Sequence, residues 1–239
     1  DHVNTYIPHT PHVVEGEIAP FTRHMEKLFP DPTDREIILC YMAAVVQYPG
    51  RRFRWAPLVQ GVEGNGKTLL ALCLKYVLGK KYCHDPRQDE MTEKYNDWMV
   101  DKLLIIVEEA WAKGRSEVME FLKPLITNAQ FEYRGMAQAK VMRDRTFNWF
   151  FCSNHKDALI KTKNDRRIAP FFTPQQDEAD LRRDGMDGDY FPSLYSWLEN
   201  GGFAHVAHFL LNYPINPEYN PGESCHRAPT TSSTNAAIS

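Results

Sequence analysis

The run Gly61-Val62-Glu63-Gly64-Asn65-Gly66-Lys67-Thr68 has the spacing G-x-x-x-x-G-K-[ST], a pattern suited to holding a chain of phosphates. Its glycines let successive backbone N–H groups turn toward one anion. The lysine ammonium then reaches the outer phosphates of a nucleotide such as ATP, and the threonine hydroxyl ligates Mg²⁺. On this reading Gly61, Glu63, Gly64, Asn65, Gly66, Lys67, Thr68 and Leu69 contact the nucleotide. A Gly-rich turn with a surface lysine would carry the same letters, so the flanking elements decide. Residues 55–60 are short and apolar enough for a buried strand, and residues 69–78 are rich in helix formers, so the loop opens a helix.

A second group of candidates ends an apolar run. Leu103-Leu104-Ile105-Ile106-Val107 suits a central parallel strand buried on both faces, and Glu108-Glu109 follow it. Ligands of open α/β sheets bind outside the carboxyl ends of the strands, so these acids fall beside the phosphate loop. There the pair would hold Mg²⁺ through water and polarise an attacking water. A strand ending in acids can also simply be entering solvent. The apolar run 147–152 leads into Ser153-Asn154-His155, which places the Asn154 amide at a third strand end.

These residues need a scaffold, and the rest of the chain supplies one. Residues 1–50 read as a lead-in followed by two helices, interrupted at Pro30-Asp31-Pro32. Residues 51–175 read as an α/β phosphate-loop core with a central, mostly parallel sheet. Within them, Val118 to Ile126 suggests a helix kinked or broken at Pro124, and residues 130–146 suggest a hairpin turning at Gly135. Residues 176–239 read as one or two helices and an extended or disordered tail from Pro214 onward.

The phosphate loop, the strand ending in two acids, the strand ending in Ser-Asn-His, and Asp165-Arg166-Arg167 occur in that order. The sequence resembles the superfamily 3 helicases, a branch of the AAA+ ATPases, and within them the helicase part of phage and mobile-element primase-helicases or primase-polymerases. Leu122-Lys123-Pro124-Leu125-Ile126-Thr127, Glu132-Tyr133-Arg134-Gly135, Phe151-Cys152-Ser153-Asn154 and the tail Arg227-Ala228-Pro229-Thr230-Thr231 carry similar wording. The resemblance implies an ATP- and Mg²⁺-dependent motor built as a homohexameric ring on single-stranded DNA, joined to an N-terminal primase or polymerase region of a longer chain. It makes Lys67 and Thr68 the phosphate and magnesium ligands and gives Glu108 and Glu109 the magnesium-organising and water-activating roles, in an order left open. Asn154 would be the sensor amide. Arg167, with Arg166 as second choice, would be the finger that completes a neighbour's site. The hairpin would track DNA through Arg134, Lys140 and Arg143, with Arg145 close behind.

Composition narrows the alternatives. The 239 residues are 43% hydrophobic and 25% charged, ordinary for a globular chain, with no apolar run long enough to span a membrane. Five cysteines without C-x-x-C pairs fit reduced thiols and a cytoplasmic setting. The net charge of −3 excludes a uniformly basic nucleic-acid binder, yet residues 131–167 hold nine Lys/Arg against four Asp/Glu while the remainder holds 19 against 27. His205 and His208 share a helical face but lack companions at metal-ligand spacing, and Cys152 reads as strand filler. The competing readings are a packaging or remodelling ATPase without strand separation, and a module that binds nucleotide only to assemble.

Overall fold

A computed structural model describes residues 6–92, 95–109, 116–135, 139–155 and 166–222. Five strands form one parallel sheet: β1 (Ala56–Gln60), β2 (Cys83–His84), β3 (Leu104–Val107), β6 (Asn148–Ser153) and β7 (Ile168–Phe172), in the order β2-β3-β6-β1-β7. β4 (Gln130–Tyr133) and β5 (Val141–Asp144) pair antiparallel as a separate ribbon, with Phe131 opposite Arg143 and Glu132 opposite Met142. The hairpin and the apolar strands thus lie where the sequence places them. The two-residue edge strand β2 falls in a stretch that carries no strand pattern.

The central strands β1, β3 and β6 are buried along their whole length, as strands covered on both faces must be. Alternate residues serve alternate faces. Val59, Ile106, Phe150 and Cys152 join one core with Phe21, Ile38, Leu70 and Leu210, while Leu58, Ile105, Trp149 and Phe151 join the other with Leu122, Ile126, Phe131 and Phe147. The first core receives helices α1 (Ala19–Leu28), α2 (Pro32–Gln47) and α3 (Lys67–Leu78). It also takes the carboxyl-terminal α7 (Tyr190–Trp197) and α8 (Phe203–Asn212). The second is closed by α5 (Ser116–Thr127) and the root of the hairpin. Short α4 (Gln88–Thr92) and α6 (Glu178–Arg183) complete the order.

Local chemistry sets the element ends. Asp31 caps α2 by accepting from the N–H groups of Thr33 (2.8 Å) and Asp34 (3.1 Å), with Pro32 in the first turn where its missing N–H costs nothing. Gly79 ends α3 at φ 87°. Pro124 lies inside α5 without breaking it, so the expected break is absent. Between α7 and α8 the chain kinks at Gly201, φ 115°, so residues 191–213 hold two helices. Among the described residues no helix is long and apolar enough to cross a membrane. Trp111, Cys225 and the tail from residue 223 lie outside the described residues.

Candidate functional site

The phosphate loop leaves β1 at Gln60 and enters α3 at Lys67. Gly64 and Gly66 both adopt left-handed backbone, φ 80° and 83°, which glycine reaches without the penalty a side chain meets. Gly66 is doubly constrained, because a Cβ there would come within 2.6 Å of the His24 ring. Among the described residues no acceptor takes the N–H groups of Gly64 or Gly66, so donors remain for an anion at the helix N-terminus.

Lys67 is only 6% exposed. Its ammonium donates to the carbonyls of Gly61 (3.2 Å) and Val62 (3.1 Å) and to Asn154 Oδ1. Burial pulls its pKa below that of an ordinary lysine, and the nearby Cys152, Glu109, Glu63 and Glu108 oppose that pull. Asn154 follows β6, which lies between β1 and β3. That placement brings its amide between the loop and the acids. Asn154 Nδ2 donates to Glu109 Oε1, and His155 Nε2 stands 3.5 Å from Glu109 Oε2. The amide orientation follows from its neighbours, since only the oxygen can accept from Lys67 and only the nitrogen can donate to a carboxylate. Glu109 is held at φ 54°, left-handed backbone that is strained for a residue with a Cβ. Glu108 beside it is exposed.

Thus the structure brings Lys67, Asn154 and Glu109 into one network, with Glu108 adjacent. Thr68 sits half-buried in the first turn of α3, and Glu63 is exposed at the loop tip. Two of the residues expected to contact the nucleotide turn their side chains inward. Leu69 buries its side chain in the core and can offer only its backbone. The Asn65 side chain is fully buried and donates to Thr173 Oγ1 (2.9 Å), so it braces the loop from behind. Among the described residues no group of three or more His, Cys, Asp or Glu could hold a metal ion alone. A divalent ion here would need oxygens from a nucleotide and water, which is the usual habit of Mg²⁺. The loop donors, the buried ammonium and the adjoining acids fit such a pair.

Arg166 and Arg167 are not part of this network. The Arg167 carbonyl accepts from Ala56 N–H (2.8 Å) at the start of β1, whereas Lys67 follows the other end. About 16 Å of five-residue strand separates the two.

Several supporting residues carry no motif. The carbonyl of Gln175 accepts from Val62 N–H (2.9 Å), and Gln60 and Gln176 exchange amide bonds at 3.0 and 2.9 Å. Only the abrupt change from the apolar β7 to Thr173-Pro174-Gln175-Gln176 hints at this brace. Buried His24 on α1 bonds the Gly66 carbonyl (3.2 Å) and the Tyr190 hydroxyl (3.0 Å). Burial lowers its pKa to about 4, so the ring is neutral, with Nε2–H donating to Gly66 and Nδ1 accepting from Tyr190. Cys152 is buried and its thiol is pushed up to about 12, which suits strand filler and not a nucleophile.

The hairpin is pinned to the body by Asn96, which donates to the Glu132 carbonyl (2.7 Å) and accepts from Arg134 N–H (2.8 Å). Its expected DNA contacts divide. Arg134 and Lys140 both pair with Glu132, the latter at 3.3 Å, and the Arg143 guanidinium lies 4.7 Å from the Tyr133 ring centre. Arg145 is buried and cannot face a strand of nucleic acid. Its guanidinium donates to the carbonyls of Phe53, Ile126, Asn128 and Phe147.

Residues 59–167 match the model of a family of unknown function, DUF5906. No curated protein matches the chain. Among solved structures, the apo C-terminal region of NrS-1 (305–718) is similar with a TM-score of 0.76 at 18% identity, covering 99% of this chain and 55% of that one. The A form of the same region gives 0.74 at 16% identity, with the same shares. The chain thus spans about half the length of these relatives, and at this identity the likeness is one of fold: an α/β arrangement around a mostly parallel sheet, found within the C-terminal region of a larger protein.

Proposed function

We propose that this chain is the ATP-hydrolysing motor of a replication protein, an AAA+ module of superfamily 3 type. It would assemble into a hexameric ring, track along single-stranded DNA, and adjoin an N-terminal primase or polymerase region. The observation that carries the reading is the direct linkage of Lys67, Asn154 and Glu109 across adjoining strand ends. In a hydrolytic cycle the Lys67 ammonium exchanges its carbonyl partners for phosphate oxygens, and Thr68 and Glu108 help hold Mg²⁺. When bound, the ion neutralises phosphate charge. Asn154 orients a water and Glu109 accepts its proton as the water oxygen bonds to the γ-phosphorus. The bond from that phosphorus to the bridging oxygen breaks, leaving ADP and inorganic phosphate.

Arg167 supports a ring. It precedes the edge strand β7 at the end of the sheet away from the chain's own Lys67, so its role in this reading is at a neighbour's site, where a transition-state arginine contributes roughly 10³ or more in rate. The test is ATP turnover per subunit against protein concentration, with and without single-stranded oligonucleotide, for wild type and Arg167→Ala. Turnover should rise with both and collapse in the variant while ATP still binds. A rate indifferent to concentration and DNA sinks the reading.

A further inference from the structure

The end of the sheet opposite the phosphate loop carries a second cationic feature. The run Gly50-Arg51-Arg52-Phe53-Arg54 enters β1. Arg51, Arg52 and Arg54 line a cavity of about 620 Å³ together with Asp144, Arg145 and Thr146 from the root of the hairpin. Among the described lining residues Asp144 is the one carboxylate, and it already accepts from Gln130 Nε2 (2.9 Å), while Arg51 and Arg52 are exposed.

Arg145 adds a buried positive charge. Its five N–H groups are directed to four backbone carbonyls and the Asn148 amide oxygen. These partners satisfy its hydrogen bonds but do not neutralise its charge. Exposed Arg52 lies close enough for the two like charges to oppose each other. The Arg51 guanidinium is 5.3 Å from the Tyr48 ring centre, a contact that positions it without cancelling its charge. Like charges gathered around a concave, partly desolvated surface raise the local potential and draw in anions. Exposed guanidiniums also match a phosphate with paired donors.

The placement of the cavity suggests which anion it takes. Asp144 and Thr146 also line the adjoining groove that runs beside the hairpin past Arg143 and Met142. Cavity and hairpin therefore share one wall, and phosphates held by Arg51 and Arg52 would continue a line that passes Arg143. We propose that this arginine cavity binds the sugar–phosphate backbone of a nucleic-acid strand at a second contact, separate from the nucleotide site and from Arg134 and Lys140 of the hairpin. The identity of the anion rests on the nucleic-acid reading above, whereas the demand for an anion rests on the arginines alone.

The test is fluorescence anisotropy of a labelled oligothymidylate between about 50 and 200 mM salt, with wild type, Arg51→Gln/Arg52→Gln, and Arg143→Gln. Each phosphate contact on a single strand contributes about 0.7 to the slope of log K against log salt, so the double variant should lower the slope by about 1.4 and weaken binding roughly tenfold or more. Arg143→Gln should subtract its own share independently. If the double variant keeps the wild-type slope while Arg143→Gln lowers it, the strand does not visit the cavity, and the proposal fails while the nucleic-acid reading stands. If wild type binds no oligonucleotide, the reading fails and the proposal with it. If the slope holds but nucleotide affinity or turnover falls, the cavity serves a nucleotide of a neighbouring copy, which also overturns it. Should the double variant melt early, Arg51→Lys/Arg52→Lys keeps charge without the fork and must retain the slope with weaker binding.

Discussion

The Lys67 ammonium donates to Asn154 Oδ1, joining the first residue of α3 to the residue that follows β6. Because Asn154 also donates to Glu109, one amide holds a cation and an acid of the site in register. Replacing Asn154 with alanine should leave the loop folded and ATP affinity within a few fold. Turnover should fall by about 10²- to 10³-fold, the usual effect of removing one positioned polar group from a reaction centre. Steady-state kinetics separates the two effects, and a rise in KM with unchanged kcat would deny Asn154 a part in the chemical step.

The two glutamates differ in a way their adjacency conceals. Glu109 is the one bound to Asn154 and near His155, while Glu108 is exposed. Glu109→Gln is isosteric, so it should retain Mg²⁺-dependent nucleotide binding and lose turnover by about 10²-fold or more, as loss of a general base does. Glu108→Gln should instead raise the Mg²⁺ concentration needed for half-maximal turnover. A magnesium titration of both variants checks the assignment, and reversed behaviour would exchange the roles.

His24 gives the fold a pH dependence of its own. Its folded pKa of about 4 lies below the usual value of 6.5 because the ring is buried, so the unfolded chain binds more protons between those values. Stability is therefore full above about pH 6.5 and is lost as pH falls toward 4. The loss from this one group reaches about 2.5 kcal/mol at pH 4.5. Urea unfolding of His24→Gln at pH 7.5 and pH 4.5 should show a smaller pH difference than wild type by about that amount. An equal difference would show that the ring does not titrate as its burial demands.

The loop, the acid pair and the third strand end were legible because each is a short local pattern beside an apolar run. The parallel sheet then places all three together. The hairpin was legible for the same reason, as two β-prone runs around Gly135. Arg145 was not, because its charge suggests exposure while its burial depends on carbonyls from three separate segments. His24 and Thr173 brace the loop across sequence separations of 42 and 108 residues, and periodicity carries no information at that range. Asn65 and Leu69 show the limit of a motif, which fixes the path of the backbone but not the direction of every side chain.

Arg145 and Arg143 are two residues apart and should respond oppositely. Arg145→Ala would strand the carbonyls of Phe53, Ile126, Asn128 and Phe147 in the interior, and unpaired buried acceptors cost about 1–3 kcal/mol each before relaxation. The variant should be insoluble or melt far below wild type. Arg143→Ala, on an exposed strand, should shift stability by less than about 0.5–1 kcal/mol. Thermal denaturation of the two variants decides the matter, and similar melting temperatures would contradict the buried position of Arg145.

On the proposed function, Glu132 would compete with nucleic acid for the hairpin cations. It pairs with both Arg134 and Lys140, and these hydrogen bonds, that of Arg134 first, hold its carboxyl below the usual range. It therefore stays charged at working pH. A phosphate approaching the hairpin must break these exposed pairs, whose strength is small singly but which engage two cations at once. Glu132→Gln should therefore bind single-stranded oligonucleotide about three- to tenfold more tightly at low salt, converging with wild type as salt screens the competition. Turnover stimulated by DNA should not rise in step, because a strand held more firmly is released more slowly. Anisotropy titrations at two ionic strengths provide the check. Weaker binding by the variant would mean that Glu132 organises the hairpin cations for phosphate and does not occupy them in its place.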